Sequence, residues 1–201
     1  CATATATGSP TATINARARD ENGSLVSVGT GPKATSDIES TTYAIVGAAT
    51  IKAIFGALNI IADSYSNVAA TAYRNMKSFA GDNTSSAYVT ARETVKTVLG
   101  ADADGAATAD RAFMLGKNTI IRAYITDQTL HAYAYSYTIA AGSKTEADSV
   151  LSVYNDVDAR VGNAYAGGVD TLTIEAKQIK LNAHAESYSI INAGDRKSTR
   201  L

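Results

Sequence analysis

Apolar and polar residues alternate in long runs along this chain, and three of the runs repeat one plan. They are "ALNIIADSYSNVAATAY" (57–73), "NTIIRAYITDQTLHAYAY" (118–135) and "TLTIEAKQIKLNAHAES" (171–187). In the first part of each run, Leu58, Ile60 and Ala62 match Thr119, Ile121 and Ala123, then Leu172, Ile174 and Ala176. In the second part, Val68, Ala70 and Ala72 match Leu130, Ala132 and Ala134, then Leu181, Ala183 and Ala185. Successive Cβ atoms of a strand point to opposite sides, so a spacing of two gathers each set on one face. The interruption at Lys177–Gln178 reads as the corner between the two parts of the third copy.

Other segments obey the same rule. Ala12, Ile14, Ala16 and Ala18 share a face, as do Ala87, Val89 and Ala91, followed by Val95 and Leu99. Leu151, Val153, Val157, Ala159 and Val161 form a further apolar set, broken only by Asn155. A buried Asn needs hydrogen-bond partners, and polar neighbours in adjacent coils can supply them. The stretch 67–114 is Ala-rich enough to compete as helix. Its density of Thr, Val, Ile and Tyr, and its period of two, favour strand. Gly81-Asp82-Asn83, Gly100, Gly105 and Gly116 read as turn punctuation.

Strands repeated on one plan, with few hairpin dipeptides beyond Asn22-Gly23 and Asp104-Gly105, predict an all-β parallel solenoid rather than a sandwich. A spacing of 50–60 residues between copies reads as two or three coils per copy. That gives roughly eight to ten coils and a length of about 40–50 Å at the inter-strand spacing. Leu58, Ile60, Ile121, Leu130, Leu172, Ile174 and Leu181 are expected to point inward.

Composition narrows this picture. Roughly a third of the chain is Ala or Thr, well above ordinary usage, with 7% aromatic residues and no Trp. Such small side chains suit a thin interior between closely spaced sheet faces. The net charge of -1, from 18 basic and 19 acidic residues spread along the chain, offers no basic block for nucleic acid. The longest apolar run, "AIVGAATIKAIFGALNIIA" (44–62), contains Lys52, Gly47 and Gly56 and resumes alternation, so no transmembrane span is expected. The chain starts at Cys1 without a signal peptide and is expected to be an interior fragment of a longer protein.

The patterns "DTLTIEAKQIKLNAHAES", "ALNIIADSYSNVAATAY" and above all "VLSVYNDVDARVGNAYAGGVDTLTIEA" resemble the repeats of bacterial filamentous haemagglutinin-type and leukotoxin-type adhesins. The resemblance extends over about residues 11–192, with degenerate motifs. It implies a right-handed parallel β-helix, secreted to the bacterial outer surface, that forms a stalk and serves cell adhesion and virulence. Its partners would be neighbouring coils of the same polypeptide and a host-surface glycan or protein. It implies no catalytic residue and no cofactor. The repeat region is then residues 1–194. The tail "DRKSTRL" (195–201) drops the alternation and reads as a non-repeat, artefactual end.

Candidate chemistry is sparse. His131 and His184 alternate outward in different copies, without metal-ligand spacing. "GADADGAATAD" (100–110) fails the calcium-loop pattern, with Gly100 and Arg111 at the first and twelfth positions. Asp156, Asp158 and Arg160 share a strand face and are the best acid-base group for a carbohydrate-active enzyme, although a charged solvated face explains them equally simply. Tyr133, Tyr135 and Tyr137 share the face of one strand and are the candidate carbohydrate contacts of a binding module. Tyr124 and Tyr188 could extend that stripe, and tyrosine ladders that support the fold are the simpler alternative.

Overall fold

A computed structural model describes residues 2–7, 12–27, 31–46, 50–99, 113–139, 142–161 and 173–198. All of its regular elements are strands: β1 (Ala2–Thr7), β2 (Ala12–Ser27), β3 (Lys33–Val46), β4 (Thr50–Ser64), β5 (Ser66–Leu99), β6 (Phe113–Ile139), β7 (Gly142–Val161) and β8 (Thr173–Ser198). No helix occurs among the described residues, so the Ala-rich stretch that competed as helix is strand as far as Leu99.

Every pairing is parallel. One sheet carries the outgoing chain, where β1 and β2 lie beside β4 and the first half of β5, then β6, then β8. The other carries the returning chain, β3 beside the second half of β5 beside β7. Across the interior the two run in opposite directions. Ser136 meets Ser85, Gln128 meets Glu93, and Thr97 reaches the carbonyl of Arg122. The result is a flattened, solenoid-like stack of two parallel sheets.

The coils are far larger than the sequence suggested. Lys33 lies beside Ser86, 53 positions on, and Thr50 beside Phe113, 63 positions on. Each repeat copy is therefore one coil, not two or three. The outgoing sheet is four strands deep, about 14 Å of stack rather than 40–50 Å, while the return run from Asn83 to Leu99 spans about 55 Å. The expectation of eight to ten coils is corrected for a physical reason. Beyond Pro32 no proline cuts the alternation, so a strand can run far before it turns.

Inside coil two, every second residue from Leu58 to Met76 is buried, and so is every second residue from Asn83 to Leu99. Gly81 has a φ of 152°, a conformation that L side chains resist, and marks the corner where the outgoing run becomes the return. Asn83 lies inside that corner, donating to the Tyr137 carbonyl at 3.0 Å and to the Thr138 hydroxyl. In the next coil Asp127, at φ 58°, inserts one residue between Ile125 and Gln128 and resets the parity of the inward positions. Aspartate tolerates that left-handed geometry better than most residues.

Two apolar compartments fill the interior. Leu58, Ile60, Ala62, Ile121, Ala123 and Ile125 pack on Val95 and Leu99. Val68, Ala70, Ala72, Leu130, Ala132 and Ala134 pack on Ala87, Val89 and Ala91. The second compartment is mostly alanine, the thin interior that composition implied.

Leu58, Ile60, Ile121 and Leu130 point inward as expected, each 0% exposed. Leu181 does not end up buried. It continues the inward column of Ile60 and Ile121 but is 48% exposed, because β8 is the last described strand of the outgoing sheet and shares with β6 the one return strand, β7, that reaches it. Its alignment also shifts, for Leu181 sits beside Ile121 and not beside Leu130. The partner of Thr119, and so of Leu58, is Ile179 rather than Leu172. Leu172 lies outside the described residues, and Ile174 pairs with Met114 through its backbone. The backbone of Asp195 to Ser198 continues β8 beside Ser136 to Ile139, so pairing runs on past the break in alternation at Asp195.

β8 thus presents Ile179, Leu181 and Ile191 to solvent beside a strand edge that is unpaired among the described residues, a combination that promotes association. Replacing Leu181 and Ile191 together by Asn and Thr should delay the onset of light scattering at raised protein concentration. An unchanged onset would place the sticky surface elsewhere.

Candidate functional site

Strand alternation sends one residue in two outward, and register stacks these residues into columns about 4.8 Å apart along the solenoid. Function on such a surface must come from what the columns bring together.

The tyrosine stripe lies on the outgoing sheet. Tyr133 is exposed, whereas Tyr135 and Tyr137 are half-buried. Tyr135 stacks on Tyr73 of the previous coil, with ring centroids 5.5 Å apart and planes 8° from parallel, and Arg19 caps Tyr73 at 5.6 Å. Of the three, Tyr135 is therefore engaged by its neighbours in a ladder of rings. Truncating it, Tyr135→Ala, should lower stability by about 1 kcal/mol beyond the loss of contact area, seen as a lower denaturation midpoint. Tyr124 lies 3.6 Å from the Arg122 guanidinium, meets His184 edge-on and accepts a 2.5 Å hydrogen bond from Asn182. Tyr188 is well exposed on β8.

The acid-base group lies on the return sheet, on one outward face as alternation required. Its two carboxylates are each drawn to a cation rather than to one another. Asp156 holds the Lys96 ammonium at 3.0 Å, and Asp158 lies 3.5 Å from Arg160. The hydrogen bond to Asp156 raises Lys96 above the usual lysine range, burial opposes the rise, and the negative charge of Asp156 adds to it. This is the geometry of alternating charge on a solvated sheet. His131 and His184 are both exposed and stand in different outward columns of the outgoing sheet. No group of three His, Cys, Asp or Glu side chains is arranged to hold a metal among the described residues. The acidic stretch 100–110 lies outside them.

Two arrangements were not singled out in the sequence. One is a groove of about 370 Å³ on the return sheet, lined by Asn155 and by the outward residues Glu39, Thr41, Arg92, Thr94, Tyr154 and Asp156. The outward residues form two adjacent columns across three coils, Glu39–Arg92–Tyr154 and Thr41–Thr94–Asp156. The signal was present as three outward positions in register, but it is invisible until the 53- and 62-residue offsets are known.

The other is internal. Glu93 is 1% exposed, and its carboxyl accepts hydrogen bonds from Ser64 at 3.0 Å, from Ser66, and from Gln128 at 2.8 Å. Gln128 and Asn155 exchange a further pair of 3.3 and 3.0 Å. The Asn that interrupted an apolar set has found polar company, in Gln128 across the interior and in Glu93 beside it in register. This polar partition separates the two apolar compartments.

No family model, no curated protein and no solved structure matches the chain.

Proposed function

We propose that the chain is a section of the shaft of a secreted bacterial surface adhesin, folded as a right-handed parallel β-helix and acting by projection and adhesion rather than catalysis. The observation that carries this reading is the stacking of the sequence repeats one per coil, with each inward column continued from strand to strand. Such a fold grows by adding copies, because each copy completes the interior and pairs the edge of the one before. The right hand follows from the strong preference of parallel crossovers for that sense. The motif resemblance to filamentous haemagglutinin-type adhesins supports the same reading.

The wide coil modifies how such a shaft would work. About sixty residues raise the stack by only about 4.8 Å, so the gain is a broad, stiff ribbon with two large outward faces more than sheer length. The reading is tested on the intact producing cell. External protease should remove antibody epitopes of this chain while cytoplasmic markers survive, and epitopes that stay protected until lysis would overturn it. The rival enzyme would instead release sugar from a polysaccharide, with the activity lost in Asp156→Ala.

A further inference from the structure

We infer that the groove over Tyr154 on the return sheet binds a neutral, hydroxyl-rich ligand, the chemistry of an oligosaccharide of uncharged hexoses. This site is separate from the Tyr133–Tyr137 stripe, which lies on the opposite sheet. It does not depend on the shaft reading, since a groove on the outer face can bind whatever the chain is part of.

Tyr154 is 59% exposed, a large ring held in the open rather than packed. The Arg92 guanidinium sits 5.3 Å from its centroid and fixes the ring against the sheet. Around that platform the two columns supply acceptors in Glu39 and Asp156, donors in Arg92, and hydroxyls that serve as either in Thr41 and Thr94. Neither Glu39 nor Arg92 takes part in an ion pair among the described salt bridges, so the Glu39 carboxylate and the N–H edges of Arg92, whose plane is engaged by Tyr154, can meet a ligand.

The charges decide the ligand class. Glu39 stands beside Arg92 in register, and Asp156 is matched by Lys96. The groove therefore has no net charge with which to attract an ion. An anion would meet two carboxylates, and a cation would meet Arg92 and Lys96. A purely apolar molecule would have to strip water from charged groups without replacing their hydrogen bonds. A pyranose fits each requirement, with an apolar C–H face for the tyrosine and a rim of hydroxyls that both donate and accept. The groove's volume is at the small end for ligand sites, which suits one or two sugar rings.

The test is titration of the purified chain with cellohexaose, maltohexaose and mannohexaose, and with hexagalacturonate as the charged counterpart, followed by calorimetry and saturation-transfer NMR. At least one neutral hexaose should bind in the micromolar to low-millimolar range. Tyr154→Ala should weaken that binding roughly tenfold or more, the effect of losing an aromatic platform. Glu39→Gln, a surface change that leaves packing alone, should also weaken it, whereas Tyr135→Ala should not. Circular dichroism melting of each variant separates loss of the site from loss of the fold, and Glu39→Gln carries the test if Tyr154→Ala unfolds. The inference is overturned if no neutral hexaose binds, if hexagalacturonate binds better, or if Tyr154→Ala and Glu39→Gln bind as the parent does. Loss in Tyr135→Ala alone would move the site to the other sheet and equally overturn it.

Discussion

Ile60→Asp should unfold the protein or bring it close to unfolding, while Ile61→Asp, one residue along, should be tolerated. Ile60 is fully buried, flanked in register by Ala4 and Ile121 and packed in the cluster that holds Val95 and Leu99. Aspartate there forfeits the apolar contacts and buries a carboxylate in a largely apolar compartment whose few hydroxyls, on Thr97 and Thr119, cannot replace its hydration, at a cost of roughly 4 kcal/mol or more. Domains have only about 5–15 kcal/mol in hand, so a loss of this size is a large fraction of the whole. Ile61 points to the other side of the sheet, is only partly buried, and can leave a carboxylate in water. Ile60→Val, which removes one methylene, should cost about 1 kcal/mol. Urea denaturation of the three variants reads the contrast. Equal effects at positions 60 and 61 would contradict the inward–outward alternation on which the fold rests.

That alternation was the most legible feature of the chain, and its strength explains both what could be read and what could not. The faces of Leu58, Ile60, Val68, Ala70, Ile121 and Leu130 follow from period two alone, because burial on a sheet has no other period. The first two copies could also be aligned correctly, and Val68 does sit beside Leu130 and Ala70 beside Ala132. The third copy could not. Alternating Ala, Ile and Leu look alike when slid along the chain, and the interruption at Lys177–Gln178 passes for a corner. The true irregularity lies further on, where Ala185 and Ser187 stand opposite Ile125 and Gln128 and β6 carries one extra residue. The size of the coil was hidden for a related reason. A long strand and several short ones carry the same pattern, and only the pairing partners tell them apart. Sites on the outward face suffered most, since the columns that make the Tyr154 groove unite residues 39, 92 and 154, which have no relation along the sequence.

The ambiguity that misplaced the third copy is also a problem for the folding chain, and the polar partition at Glu93 is suited to resolve it. A slip of two residues keeps every apolar position inward, so in an alanine-rich compartment it changes little. It would, however, carry Glu93 away from Ser64, Ser66 and Gln128 and set its carboxyl against apolar neighbours. Buried polar groups that are satisfied in only one register penalise the others, at some expense to stability when compared with an ideal apolar core. Glu93→Leu should therefore destabilise the protein by roughly 2–5 kcal/mol, because it leaves two hydroxyls and an amide buried without their acceptor. Glu93→Gln should cost only about 1 kcal/mol. Its carbonyl can still accept from Ser66 and Gln128, and its amide can donate to the Ser64 hydroxyl once that group rotates. The triple change of Glu93, Gln128 and Asn155 to Leu, Met and Leu distinguishes register control from stability. It should recover much of the stability lost in Glu93→Leu, yet broaden the NMR resonances of Val68, Val89 and Leu130 as slipped registers become populated. Sharp, single resonances in that triple variant would show that the alanine compartment holds its register without the partition.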